Sequence, residues 1–331
     1  MKLSIVLPIY NTESYLKRCL DSVFNQDLSE TDYELIAIND GSTDGCLAIL
    51  KDYESKHKNL VVIDQKNAGD SEARNRGLEK ARGTYLTFLD SDDAIEHFSL
   101  GTIMAKAEKE NLDILYLRMT QYDENGNFLQ EMPPIGDDNT ILPGFEHPRR
   151  TFPATLYRRK LTEGFIFDKE ILLGTETVLN ALSQSRASRC SYISIPYYKY
   201  TNRVNSISKQ GYTERSYFGF IKGIKNINAF QKEVHPNPTP QQKKYFDAVI
   251  IIFMTRIVEL SILPEMRKDR FEEIQTIMKS LNLNYILEVM SEKFKFLNSS
   301  FFMFSSYQTY LVYKQKVYLF AHNLKKRFKK K

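Results

Sequence analysis

Short apolar runs alternate with amphipathic stretches along the first 120 residues. Leu3–Pro8 reads as a buried strand, and the apolar positions of Tyr15–Phe24 recur at helical spacing. Tyr33–Ile38 is a second strand. Asp44 can cap a helix running to about Lys56. Leu60–Asp64 is a third strand, Glu72–Ala81 a helix closed by Gly83, and Tyr85–Leu89 a fourth strand. Ser99–Glu110 is helical and Asp113–Arg118 is a fifth strand. Repeated strand–helix alternation with short, wholly apolar strands predicts an α/β domain, a mostly parallel sheet flanked by helices. Beyond Met119 the pattern changes. The Asn-Gly pair within Tyr122–Phe128 suggests a hairpin, and residues 133–153 are rich in proline, glycine and charge, as in a loop. Thr175–Leu182 fits a short helix and Pro196–Tyr200 a strand. From about Thr213 the chain reads as helical, with breaks at His235–Pro240 and Pro264.

Parallel sheets bind ligands beyond the carboxyl ends of their strands, so chemistry is expected at those ends. Strand one ends in Pro8-Ile9-Tyr10-Asn11. Strand two ends in Asn39-Asp40-Gly41-Ser42-Thr43-Asp44-Gly45, a glycine-rich turn feeding a helix. Strand four ends in Asp90-Ser91-Asp92-Asp93. Three carboxylates in four residues raise one another's cost of ionisation. A hard divalent cation, Mg²⁺ or Mn²⁺, answers that cost, held by one or two carboxylates with its remaining shell on water or phosphate. No GxxxxGK[ST] and no GxGxxG after the first strand is present, so the pattern points to a diphosphate ligand outside the P-loop and dinucleotide classes.

Composition narrows the classes further. The 331 residues are 42% hydrophobic and 26% charged, the balance of a globular protein. Three scattered cysteines, Cys19, Cys46 and Cys190, give neither a disulfide framework nor a zinc site and suggest a reducing, cytoplasmic compartment. No signal-peptide pattern and no membrane-spanning run is expected; the best apolar run, Ala248–Met254, is too short. The net charge of +5 resides in the final KKRFKKK, Lys325–Lys331; without it the remainder is about neutral, which argues against nucleic-acid binding. Tyr310, Tyr313, Val317, Phe320, Leu324 and Phe328 recur at steps of three or four opposite Gln315, His322, Lys326 and Lys329. That pattern suggests an amphipathic tail for an anionic membrane surface.

SIVLPIYN (Ser4–Asn11), INDGSTDG (Ile38–Gly45), KNAGDSEARNRGLEKARG (Lys66–Gly83) and LDSDDA (Leu89–Ala94) stand in the order and spacing of the family 2 glycosyltransferases, which this sequence resembles. The strong match covers residues 1 to about 100, and a weaker one runs to about 208. The resemblance implies a GT-A, Rossmann-like fold and inverting transfer of a sugar from a nucleotide diphosphate, with a UDP-sugar as donor. It implies that Asp90-Ser91-Asp92 is the family's DxD element, with Asp90 at the ribose and Asp92 on the metal. It also implies that Asp40 reads the base and that Pro8, Tyr10 and Asn11 line the donor pocket. Arg74 then contacts the nucleotide. Asn39 stands where the family has an aspartate.

The family's general base is the Asp of a Gly-Glu-Asp element. Here Gly174-Thr175-Glu176 takes its place, which makes Glu176 the candidate base, with Glu163, Asp168 and Glu170 next. YKYTNRVNSIS (Tyr198–Ser208) resembles the family's Tyr-rich strand and following loop, where Arg203 can pair a phosphate. The resulting expectation is a GT-A domain over 1–210, with a nucleotide half over 1–100 and an acceptor half over 101–210. A helical region over 211–297 and a basic amphipathic tail over 298–331 complete the chain. The function expected is transfer to a glycan or lipid-linked oligosaccharide in bacterial surface polysaccharide synthesis, on the cytoplasmic face of the membrane. The alternative is a nucleotide- or glycan-binding GT-A protein with impaired catalysis that acts through its helical C-terminal region, an idea prompted by the altered base element.

Overall fold

The computed structural model describes residues 1–133, 138, 140–146, 153–203, 213–260 and 269–283. Much of the expected loop over 133–153, the break at Pro264 and the tail over 298–331 lie outside the described residues. The chain divides into two compact units. The first comprises Met1–Gly211 with Asn237–Tyr245, the second Tyr212–Pro236 with Phe246–Lys331.

The strands of the first unit are β1 (Leu3–Ile9), β2 (Tyr33–Asp40), β3 (Leu60–Gln65), β4 (Tyr85–Phe88), β5 (Ala94–Ile95), β6 (Ile114–Asp123), β7 (Phe128–Glu131), β8 (Thr155–Arg158) and β9 (Cys190–Asn202). They form one sheet in the order β3-β2-β1-β4-β8-β6-β9-β5, with β7 paired to β6. β3, β2, β1 and β4 are mutually parallel. β8 then joins β4 antiparallel, and the remainder is mixed. Helices α1 (Glu13–Phe24), α2 (Cys46–Lys56), α3 (Asp70–Lys80), α4 (Leu100–Lys109) and α5 (Thr175–Arg186) cover its faces. β1 is buried along its whole length. One face packs Ile5, Leu7, Leu16 and Leu20 into a core with Leu115 and Tyr198. The other packs Val6, Ile36 and Phe88 with Tyr157 and Leu179. Burial on both faces explains why these strands read as continuous apolar runs.

At the amino ends of the strands a buried Glu34 accepts from Ser4 Oγ at 2.7 Å and pairs with Arg82 at 2.7 Å. Gly83 passes so close beneath β1 that a Cβ there would lie 2.5 Å from Ser4 N. This end is a structural clasp. The opposite end is open and carries the turns Tyr10–Asn11, Gly41–Gly45 and Asp90–Asp93.

Four elements differ from the sequence expectation. β8 follows Ala154, whose φ of 60° is left-handed; four residues just after a proline- and charge-rich stretch carry no periodic signal. β6 and β9 are longer than expected. β9 absorbs Pro196 at a register irregularity opposite Arg118, where the missing amide disrupts an already broken ladder. α5 continues one turn past Leu182 to Arg186, which donates to Leu161 O and Glu163 O at 3.1 and 2.9 Å. The expected hairpin forms as β6–β7. Asp123 accepts from the amides of Asn125 and Asn127 at 2.9 and 2.8 Å, and Gly126 takes φ 83°.

In the second unit α6 (Glu214–Val234) starts with a capping box between Thr213 and Ser216. It is followed by α7 (Pro240–Leu260), which belongs to this unit from Phe246 on, and α8 (Asp269–Ser280). Gly223 lets α6 approach Phe253 of α7 closely, since a Cβ would lie 2.6 Å from that ring. Tyr217 donates to Glu273 at 3.1 Å. No described helix is long and apolar enough to cross a membrane.

Candidate active site

The site is built from the loops after β1, β2, β3 and β4 at one sheet edge. Pro8 is buried inside β1, so it shapes the strand end with its ring alone. Tyr10 just beyond is 50% exposed and free to meet a ligand. Asn11 turns into the left-handed region, φ 51°, and its side chain accepts from the Thr43 amide at 2.8 Å. Asp44 accepts from the amides of Glu13 and Cys46 at 3.0 and 3.1 Å, while Glu13 accepts from Gly45 N at 2.8 Å. The starts of α1 and α2 are thus tied by each other's acids.

Asp40 is almost fully buried. One carboxylate oxygen accepts from Gln65 Nε2 and Ala68 N, the other from Gly69 N, each at 2.8 Å. Most of its acceptor capacity therefore fixes the loop that launches α3, and one lone pair is left for a base N–H. Asn39 donates to Asp64 at 2.7 Å, so it braces β2 against β3. At Gly41, φ 69°, a side chain would meet Asn67 N at 2.6 Å. α3 then carries Arg74, buried, into an ion pair with Asp70 and a second with Asp90 at 2.9 Å.

The acid turn after β4 is held on several sides. Ser91 accepts from Thr12 Oγ1 at 2.9 Å. Arg18 of α1 donates to Asp92 O and to Thr201 Oγ1, both at 2.7 Å. Asp93, at 1% exposure, accepts from Tyr198 OH and Thr201 N, both at 2.7 Å. The same Tyr198 oxygen accepts from Asp90 N at 3.2 Å. Asp92 pairs with Arg203 Nη2 at 2.5 Å, and the Arg203 guanidinium also lies over the Tyr15 ring at 5.4 Å. Burial and the neighbouring Asp90 push the Asp92 carboxyl above its ordinary value, while Arg203 and Arg18 pull it down. Burial, then Asp92 and Asp90, push Asp93 well above its own.

Glu176 lies in the first turn of α5, after Gly174 with φ 92°. Where α5 ends, Arg189 O accepts from Asp113 N, at the start of β6. The segment leading to α5 is anchored on α3, where Asn75 and Phe167 exchange hydrogen bonds of 3.0 and 2.7 Å. The fold brings Tyr10, Asn11, Asp40, Arg74, Asp90, Ser91, Asp92 and Arg203 to one edge, while Pro8 stays inside its strand and Glu176 stands in the first turn of α5. Sequence reading passes over Arg18 and gives Asp93 and Tyr198 no role of their own. Asp93 is visible as the third acid of its turn and Tyr198 as one of a tyrosine run, but nothing local joins them.

Asp90 and Asp92 are the oxygen donors a hard divalent cation would use at this turn, each paired here with an arginine, Arg74 and Arg203. Among the described residues no group of three or more His, Cys, Asp and Glu is arranged to hold a metal.

Comparison with known proteins identifies the family and the fold. The family described as Glycosyl transferase family 2 matches residues 4–165. An uncharacterized glycosyltransferase of Bacillus subtilis, EpsJ, is 32% identical over 222 residues, 63% of this chain and 63% of its own, so the chain spans just under two thirds of that relative. An uncharacterized glycosyltransferase of Escherichia coli, YibD, is 30% identical over 235 residues, 65% of this chain and 67% of its own. The crystal structure of S. aureus TarS residues 1–349 in complex with UDP-GlcNAc superposes with a TM-score of 0.69 at 22% identity. It covers 93% of this chain and 92% of that one, and the two share the GT-A-like fold.

Proposed function

The chain belongs to glycosyl transferase family 2, and on that footing we propose that it is an inverting glycosyltransferase. It moves a sugar from a UDP-sugar to a hydroxyl of a glycan or lipid-linked glycan during bacterial surface polysaccharide synthesis. The acid turn at the end of β4, with Arg74 on Asp90 and Arg203 on Asp92, carries the reading. The UDP-GlcNAc complex of the like-folded TarS supports the choice of nucleotide.

Tyr10 flanks the base, Asp40 accepts a base N–H with its remaining lone pair, and Asp90 meets the ribose. Asp92, with Asp90 beside it, would hold Mn²⁺ or Mg²⁺, whose chemistry when bound is to offset charge on the departing diphosphate. Arg203, already beside Asp92, reaches the same phosphates with a planar pair of donors. Glu176 takes the proton of the acceptor hydroxyl as its oxygen attacks C1. The C1–O bond to the diphosphate breaks, its electron pair leaves with UDP, and the anomeric configuration inverts. The basic tail over 298–331 would hold the enzyme at an anionic membrane surface, where lipid-linked acceptors present their sugars.

The test is hydrolysis of a panel of UDP-sugars with and without Mn²⁺, read as UDP release, alongside thermal shift by each donor. Metal-dependent UDP release from one donor is the expected result. Donor binding without hydrolysis or transfer favours the reading of a binding protein that has lost catalysis. Neither binding nor hydrolysis overturns both.

A further inference from the structure

The β6–β7 hairpin carries an apolar surface that the donor chemistry does not use. Phe128 and Leu129 are 57% and 46% exposed. Phe128 stands opposite Tyr122, ring centroids 6.0 Å apart at 80°. Register runs Gln121↔Gln130 and then Tyr122↔Phe128, which leaves Leu129 as the extra residue of a β-bulge. A bulge on an edge strand re-aims side chains and blunts pairing. Here it sets two apolar side chains against one tyrosine on an open edge, since among the described residues β7 pairs only with β6.

Strand register fixes where this patch lies. Tyr122 pairs with Thr201 of β9, and Asp123 pairs with Asn202. Thr201 bonds Arg18 and Asp93, and two residues later Arg203 pairs with Asp92. Strands lie about 4.8 Å apart, so Phe128 stands roughly 10 Å, two strand steps, from β9, whose end bonds the acid turn. The polar groups around the patch are amides, one ion pair and one carboxylate. Gln130 donates to Gln121 at 2.8 Å, Arg118 pairs with Glu131, and Asp123 is held by its own turn. An aromatic ring rimmed by amides and a hydrogen-bond-accepting carboxylate suits a ligand with an apolar C–H face and many hydroxyls. That is the chemistry of a neutral saccharide.

We propose that Tyr122, Phe128 and Leu129 form the acceptor subsite. One sugar unit of the acceptor stacks on the hairpin while the hydroxyl to be glycosylated reaches the cleft at Asp92. The proposal rests on the transferase reading above and names where its second substrate binds.

The chain contains no tryptophan, so Phe128→Trp keeps an aromatic platform and installs a single fluorescent reporter. It would be titrated with methyl β-glycosides of glucose, galactose and N-acetylglucosamine, with β1,4-linked tri-N-acetylglucosamine and with UDP-GlcNAc. A saturable fluorescence change with a free saccharide is the expected result. Saturation-transfer NMR with the same saccharide should show binding about tenfold weaker in Phe128→Ala than in the parent, and unchanged in Phe98→Ala, an exposed aromatic outside the hairpin. Silence toward every free saccharide overturns the proposal. So does a response to UDP-GlcNAc alone, which would give the patch to the donor, or a response to protein dilution alone, which would make it an interface between copies. None of these readings needs turnover, so failure of the UDP-sugar panel and failure of the subsite are separate results.

Discussion

Removing one hydroxyl should loosen the acid turn in a pH-dependent way. In Tyr198→Phe, Asp93 loses a donor at 2.7 Å and the Asp90 amide loses an acceptor at 3.2 Å. A hydrogen bond to a charged group is worth about 1.5–3 kcal/mol, and an orphaned buried amide costs about 1–3 kcal/mol. The two effects share one oxygen and do not simply add, so a loss of about 3 kcal/mol is expected. That corresponds to roughly 6–12 °C on the melting transition of the first unit. Burial, Asp92 and Asp90 already raise the folded Asp93 value, while Thr201 N and Tyr198 hold it down. The folded chain therefore binds the Asp93 proton more tightly than the unfolded chain does. The stability Asp93 contributes is fully present below the ordinary carboxylate value and is lost as pH rises through the folded one. Without the Tyr198 hydroxyl the folded value rises further, so the loss extends to higher pH. The deficit of Tyr198→Phe relative to the parent should be smallest near pH ~4 and larger near pH ~8. Differential scanning fluorimetry across that range measures it. A deficit below about 1 kcal/mol, or one that widens toward acid, would refute the role given to Tyr198.

Further predictions concern the donor turn, the base, the second strand end and the tail. Asp92→Asn should abolish transfer and the Mn²⁺ dependence of UDP binding by calorimetry; binding equal to that of the metal-loaded parent would remove Asp92 from the metal. Glu176→Gln should keep UDP affinity and lose about 10²–10⁴ in turnover, and near-normal turnover would turn attention to Glu163, Asp168 and Glu170. Gly41→Ala forces a side chain against Asn67 N at a left-handed φ and should destabilise the fold by about 1–3 kcal/mol, checked by denaturant titration; a neutral effect would show that the loop after β2 can shift. A chain truncated after Asn298 should lose co-sedimentation with anionic vesicles at low salt, and equal binding by full-length and truncated chains would dismiss the tail as a membrane anchor.

The parallel half of the sheet was legible because strands buried on both faces leave unbroken apolar runs, as in Ile5-Val6-Leu7. The sheet-edge turns were legible because Gly41 and the acids of LDSDDA depart from that pattern locally. Partnerships were not legible. Asp40 reads as a ligand-binding acid, yet its oxygens are engaged by Gln65, Ala68 and Gly69. β8 has four residues and no period of its own; it exists because β4 and β6 both need a neighbour. The Asp93–Tyr198 bond joins positions 105 residues apart, a separation over which no periodicity carries information.

That separation also sets an order of events during synthesis. Residues 1–100 emerge first and contain every strand of the parallel half, but Asp93 waits for Tyr198 and Thr201, and Asp92 for Arg203. A ribosome-bound chain could lay down β1 through β4 and still lack an ordered acid turn. For protein engineers the consequence is direct. The first hundred residues are no portable nucleotide-binding cassette, and a chimera that grafts them onto another acceptor half must carry β9 through Arg203 as well.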